Sequence, residues 1–245
     1  MRRNFFLILL HILSVAWATA CAPEGGSGFE QIWANRVVAY HPVRPTGVTE
    51  ADWPYFFHPE NALGPPGDAF GVVSLGYNPS LSDTLGGSLT LGLGVADDPA
   101  RTHCIEDGAG EDFVVYENPF YSNDPNSGLT VSNVEAALVS VSEDGVTFFT
   151  FPVSIDDTFP LGDARRTRGF AGKTPVGDGG DRFDLADLIQ VHALAGGYRA
   201  CFVRLTDGGT RYQDYGNTQT DAWSSGADIN AVEVIHPVEA GTSSF

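Results

Sequence analysis

Oxygen ligands bracket a strand in this sequence. In segment 108–120, GAGEDFVVYENPF, the run Phe113-Val114-Val115-Tyr116 is β-branched and aromatic and predicts a core strand. Asp112 stands at one end of it, and Glu117 and Asn118 at the other. Carboxylates, amides and backbone carbonyls at strand ends are the ligands of calcium, which takes roughly six to eight oxygens. The same composition recurs in GDGGDRFD (177–184), with Asp181 and Asp184, and in GADIN (226–230), with Asp228 and Asn230. Calcium is therefore the cofactor expected at these residues. The alternative is a set of turns and caps that use Asx hydrogen bonds, and none of the segments has EF-hand spacing. Strand alternation puts Asp112, Val114 and Tyr116 on one face and Phe113, Val115 and Glu117 on the other. Either a bend at residues 117–119 lifts Glu117 out of the core, or Glu117 is buried and needs a partner. Calcium, an arginine such as Arg204, or backbone amides could supply it.

A second group of residues suits binding. Segment 42–70 holds Trp53 and Tyr55, and segment 207–230 holds Arg211, Tyr212, Tyr215 and Trp223. Aromatic rings among polar residues make stacking platforms for sugars or other planar ligands; the same rings could instead fasten their loops to the body. No nucleophile elbow, zinc-protease helix, phosphate-binding loop or Cys-x-x-Cys pair occurs. The five histidines after residue 20 do not cluster. With 31 acids present, a glycosidase-like carboxylate pair can always be found, so it carries little weight. A non-catalytic binder of a glycan or another small polar ligand is the leading expectation. The alternatives are a glycan-active hydrolase using loop carboxylates and a structural envelope or adhesion protein.

The elements that must position these residues follow a signal. Residues 1–20 combine Arg2 and Arg3, the apolar run FFLILLHILSVAWA and a small-residue ending. That is a signal-peptide pattern, and the run is short for a membrane span. ATAC (18–21) resembles the end of a bacterial lipoprotein signal. The resemblance implies lipidation of Cys21, membrane contact through that anchor only, and a place in the cell envelope, at the outer membrane or cell surface. Residues 21–30 read as a flexible tether and residues 31–240 as one domain. Without its first 20 residues the chain carries 11 basic against 31 acidic residues, which argues against nucleic acid. Cys104 and Cys201 remain; in an oxidising compartment they could pair, the alternative being two buried thiols.

Eight strands are expected, at 36–41, 71–77, 87–95, 112–117, 135–142, 147–151, 200–206 and 231–236. In 87–95, Leu89, Leu91, Leu93 and Val95 alternate with Ser88, Thr90, Gly92 and Gly94, which predicts one buried and one polar face. Asp144-Gly145 marks a hairpin turn. One stretch, 183–194, reads as a short helix capped by Asp184, with Asp187 in its first turn. Segments 42–70, 96–111, 118–134, 152–182 and 207–230 read as long loops. The pattern is all-β, a single jelly-roll β-sandwich with long loops and one short helix.

Several motifs, in order, carry a resemblance: NALGPPGD (61–68), GGSLTLGLG (86–94), GAGEDFVVYENPF (108–120), EAALVSVSEDGVTFFTFP (135–152), FAGKTPVGDGGDRFDLADL (170–188) and GADINAVEVIH (226–236). Together they resemble a group of bacterial cell-surface proteins and lipoproteins with a galactose-binding-like jelly roll, the fold of many carbohydrate-binding modules. VSVSEDGVTFF is similar to a strand–turn–strand of discoidin-like modules. ADINAVEVI is similar to the closing strand of calcium-carrying sugar-binding modules; Asp228 matches its first acid, and Asn230 stands where a second acid is usual. The resemblance implies a carbohydrate ligand and bound calcium. Segments of the chain are also similar to corrinoid-uptake lipoproteins, which implies a corrinoid as a more distant ligand class.

Overall fold

The computed structural model describes residues 30–44, 56–67, 71–78, 80–96, 98–118, 120–123, 130–133, 135–156, 158–159, 167–174, 176–194, 197–212 and 226–240. The fold is all-β. The first strands are β1 (Ile32–His41), β2 (Val73–Ser74), β3 (Ser88–Val95), β4 (His103–Glu106), β5 (Phe113–Glu117), β6 (Phe120–Asn123) and β7 (Thr130–Asn133). Next come β8 (Ala137–Ser142), β9 (Phe149–Thr150), β10 (Ser154–Ile155), β11 (Thr167–Arg168), β12 (Phe170–Ala171) and β13 (Asp181–Phe183). Helix α1 (Leu185–His192) follows, then β14 (Arg199–Ala200), β15 (Phe202–Asp207), the single helical turn α2 (Gly209–Tyr212), β16 (Asp228–Val234) and β17 (Pro237–Glu239).

The main sheet is antiparallel, in the order β12-β8-β15-β3-β1-β16-β5-β13, with β2 added to β16 and β9 to β8. It curls until β12 comes back against β5. Its inner faces then enclose one core, as the two layers of a sandwich do. Leu89, Leu91 and Leu93 of β3, Val139 and Val141 of β8, Val203 and Leu205 of β15, Phe113 and Val115 of β5 and Val232 of β16 fill it. Period 2 produces this: Leu91 stands opposite Val37 on one neighbour and Val203 on the other. Small sheets of β14-β4-β17, β10-β11 and β6-β7 lie outside it. No helix among the described residues is long and apolar enough to cross a membrane.

Several expectations change in detail. The second face of β3 is not solvated, because Arg36 and Asn35 lie across it. A Cβ on Gly92 would meet Arg36 Cζ at 2.4 Å, so only glycine lets the guanidinium lie there, within 5.4 Å of the Phe202 ring. Of the strand expected at 71–77 only Val73–Ser74 forms. The segments read as loops at 96–111, 118–134 and 152–182 contain short strands. Their two- to four-residue pairings are too brief for a periodic signal. Residues 142–149 do turn between β8 and β9, where Asp144 Oδ1 accepts from Ser142 Oγ, Val146 N and Thr147 N. Asp184 caps α1 by accepting from Ala186 N at 2.8 Å. A disulfide joins Cys104 of β4 to Cys201, next to β15.

Candidate cation site at one end of the sheet

Alternation carries acids inward at one end of the curled sheet. Phe113, Val115 and Glu117 share the inner face of β5, and Val203, Leu205 and Asp207 that of β15. The parity of Val139 and Val141 in β8 continues back through Ala137 to Glu135, just before the strand. Glu117, Glu135 and Asp207 are 0%, 8% and 3% exposed. Asp228, partly exposed, opens β16 and lies beside them: its amide donates to Glu117 Oε1, and its charge acts on Glu117, Glu135 and Asp207. Four carboxylates therefore meet where β5, β15 and the segments before β8 and β16 come together. Asp207 and Asp228 are also the two ends of the connection that carries Arg211, Tyr212, Tyr215 and Trp223.

The hydrogen bonds there are uneven. Asp207 is satisfied: Oδ1 accepts from Gly209 N and Oδ2 from Ala227 N, both at 2.6 Å. Glu117 is half satisfied. Oε1 accepts from Asp228 N at 3.0 Å, while Oε2 is buried without a partner among the described residues. Such an atom is costly to leave in a dry interior. Gly172, at φ +92°, passes the same spot; a Cβ there would lie 2.2 Å from Glu135 O and 3.5 Å from Glu117 Oε2.

Burial pushes Glu117 well above the ordinary carboxylate range; the Asp228 amide opposes this, and the charges of Asp228, Asp181 and Asp207 add to it. Glu135 is also raised well above it, by burial and then by Asp228, Glu117 and Asp207. Burial lifts Asp207 to about 7 against the amides of Ala227 and Gly209, and lifts Asp228 to about 6 against a hydrogen bond from Ser74. Buried Tyr77, beside Asp207 and Glu135, is pushed up to about 12. The group can take up protons or a cation; fully ionised and empty, it repels itself.

A second acidic cluster lies at the other end of β5. Single oxygens of Asp107, Asp112 and Asp184 fall within 4.8 Å of one another and could hold a metal ion. Among the described residues this trio gathers its oxygens most closely. Two of its members already have work in the fold. Asp112 is fully buried; Oδ1 accepts from Gly108 N at 2.8 Å and faces His236 Nδ1 at 2.7 Å, and Oδ2 accepts from Leu185 N at 2.7 Å. Asp184 is the helix cap.

The other expected ligands are placed as follows. Asp112 has the parity of the outer face of β5 but is shut off from solvent, because Gly108 N, Leu185 N and His236 close over its carboxylate. Asp181 is buried and folds the 173–174 turn, accepting from Lys173 N, Thr174 N and Thr174 Oγ1. Asn230 Oδ1 accepts from Gly67 N at 2.8 Å, so this oxygen holds the chain at Gly67. Asn118 is joined to Asp228 through its backbone N–H. Arg204 does not neutralise Glu117; it lies 3.6 Å above the Phe148 ring and donates to Thr90 Oγ1. Arg211 pairs with Asp83 at 2.9 Å, and Tyr212 packs edge-on against buried Phe170. Both are thereby fastened to the body. Trp53, Tyr55, Tyr215, Trp223 and Cys21 lie outside the described residues.

Of these four acids the sequence pointed to Glu117 and Asp228 as candidates, and not to Glu135 and Asp207. The signal for both was present: each continues the inward parity of a core strand by one step beyond its last apolar residue. Compared with family models the chain matches none, and no curated protein matches it.

Proposed function

We propose that this chain is a non-catalytic binding protein of the bacterial cell envelope. In this reading it is tethered through Cys21, and a calcium ion among Glu117, Glu135 and Asp228 braces the loops that bind a glycan. The observation that carries the reading is Glu117 Oε2, buried and unpartnered beside three further carboxylates. A hard divalent cation satisfies such an oxygen and removes the repulsion around it. The ion would also tie β5 to Asp228, and so fix one end of the connection that carries the expected aromatics. The other aromatic segment, 42–70, leaves β1 at His41. His41 pairs with Ser88, next to Gly87, whose carbonyl accepts from Asp207 N, so both segments leave from this end of the sheet. The galactose-binding-like resemblance of the sequence supports the same picture.

The Glu117 group is preferred to the Asp107–Asp112–Asp184 trio on hydrogen bonding. Asp112 already has three nitrogen partners, whereas Glu117 has an oxygen with none.

Thermal melting tests the proposal. Calcium at about 100 times its Kd stabilises the folded state by about 2.7 kcal/mol, which for a chain of this size is roughly 5–10 °C in Tm. Glu117→Gln abolishes the shift, and Asp107→Ala at the exposed edge of the trio leaves it intact. Equal melting of the unsubstituted protein in EDTA and in millimolar calcium overturns the reading. A shift lost in Asp107→Ala and kept in Glu117→Gln moves the ion to the trio.

A further inference from the structure

At the seam of the curled sheet, where edge strands β12 and β13 approach, a cavity of about 400 Å³ lies between them, helix α1 and the β10–β11 hairpin. That volume falls within the range of small-molecule sites, about 300–1,000 Å³. Its lining is unusual for this chain. Of thirteen Lys and Arg in a protein of net charge −18, Arg168, Lys173 and Arg182 are among the residues that line it. Lys173 lies 3.6 Å from Asp181, but Arg168 and Arg182 are exposed and make no ion pair among the described residues. The acids in the lining are Asp184, occupied in capping α1, and exposed Asp187. Gln190 and Ser154 add neutral polar groups, and Val191, 57% exposed, adds an apolar rim.

We infer that this seam cavity is a binding site for an acidic sugar. Arg168, from the β10–β11 hairpin, and Arg182, from edge strand β13, both line this cavity, and guanidinium groups suit planar and tetrahedral anions such as a carboxylate or phosphate. Asp187, Gln190 and Ser154 accept from and donate to ring hydroxyls, and Val191 covers an apolar ring face. A bare inorganic anion would leave most of the cavity unfilled. The seam cavity is a second site, at the other end of β5 from the loops of the proposed function, and it uses none of the cation-site residues.

Calorimetric titration in EDTA keeps the two readings separate, because failure of the calcium site leaves this measurement unaffected. The probes are digalacturonate, glucose 6-phosphate, inorganic phosphate and the neutral disaccharide lactose. The expected result is binding of one or both acidic sugars, at least tenfold weakening in Arg168→Ala/Arg182→Ala, and no loss in the exposed control Arg199→Ala. Affinity also falls with added salt, since the cations are exposed. Unchanged melting of the double variant shows that the loss is not one of folding. No heat with either acidic sugar, equal binding of lactose, or full binding by the double variant overturns the proposal. Inorganic phosphate binding as tightly as the acidic sugars reduces the site to a bare anion site and overturns the sugar assignment.

Discussion

Lowering the pH should stabilise the metal-free protein. Asp207 is held at about 7 and Asp228 at about 6, against an ordinary value of 3.8. A carboxylate raised in this way binds its proton more tightly folded than unfolded. The stability it contributes is fully present below 3.8 and is lost as pH rises through the folded value. Between pH 7, where Asp207 is half protonated, and pH 5, its proton uptake is worth about 2.3 kcal/mol. Asp228 titrates over the lower unit and, being partly exposed, adds less than about 1.4 kcal/mol. Together they give about 3–4 kcal/mol, roughly 10 °C in Tm. Glu117 and Glu135 act in the same direction. Asp144, lowered to about 2 by the amides of Thr147 and Val146 and the hydroxyl of Ser142, titrates below this window. Differential scanning calorimetry in EDTA at pH 5, 6, 7 and 8 reads the effect. Calcium, which takes the place of the protons, should raise Tm more at pH 8 than at pH 5. A metal-free Tm that is flat or rises from pH 5 to 8 would refute the view that these acids are strained by burial.

Other outcomes follow from the same geometry. Gly172→Ala places a Cβ against Glu135 O at a positive φ; it should cost about 1–3 kcal/mol in urea unfolding and blunt the calcium response. Asp112→Asn turns one acceptor oxygen toward its N–H partners as a donor. It should destabilise by about 3 kcal/mol in the same assay while leaving the calcium shift in place. Replacing both Cys104 and Cys201 with Ala opens a link between residues 97 apart in sequence; it should lower stability by about 4–5 kcal/mol in the chain-entropy model, read as a lower urea midpoint.

Much of this fold was legible, and what escaped did so for physical reasons. The Leu89–Leu91–Leu93 alternation and the Asp144-Gly145 turn are local signals that tertiary structure had no cause to override. The buried second face of β3 was not visible, because its cover comes from Arg36 and Asn35, a polar pair whose lie across two glycines depends on the neighbouring strand. The short strands β10 to β12 take their register from partners far away in sequence, and two residues leave no periodicity to read. Glu117 posed the right question in the sequence alone. Its answer required knowing that the inner faces of β5 and β15 end side by side, which brings Asp207 and Asp228 together from opposite ends of a long connection. The hydrogen bond of Asn230 to Gly67 was hidden for a similar reason. The register shift between Ile229 and Ala231 breaks the alternation that would otherwise have placed Asn230 with Asp228.

The central claim is that Glu117, Glu135 and Asp228 hold a divalent cation. Equilibrium dialysis of residues 22–245 against calcium, followed by elemental analysis, measures it directly. The account predicts about one calcium per chain for the unsubstituted protein at pH 8, and none for Glu117→Gln under conditions where that variant remains folded. No calcium in the unsubstituted protein, or the same content in both, would contradict it.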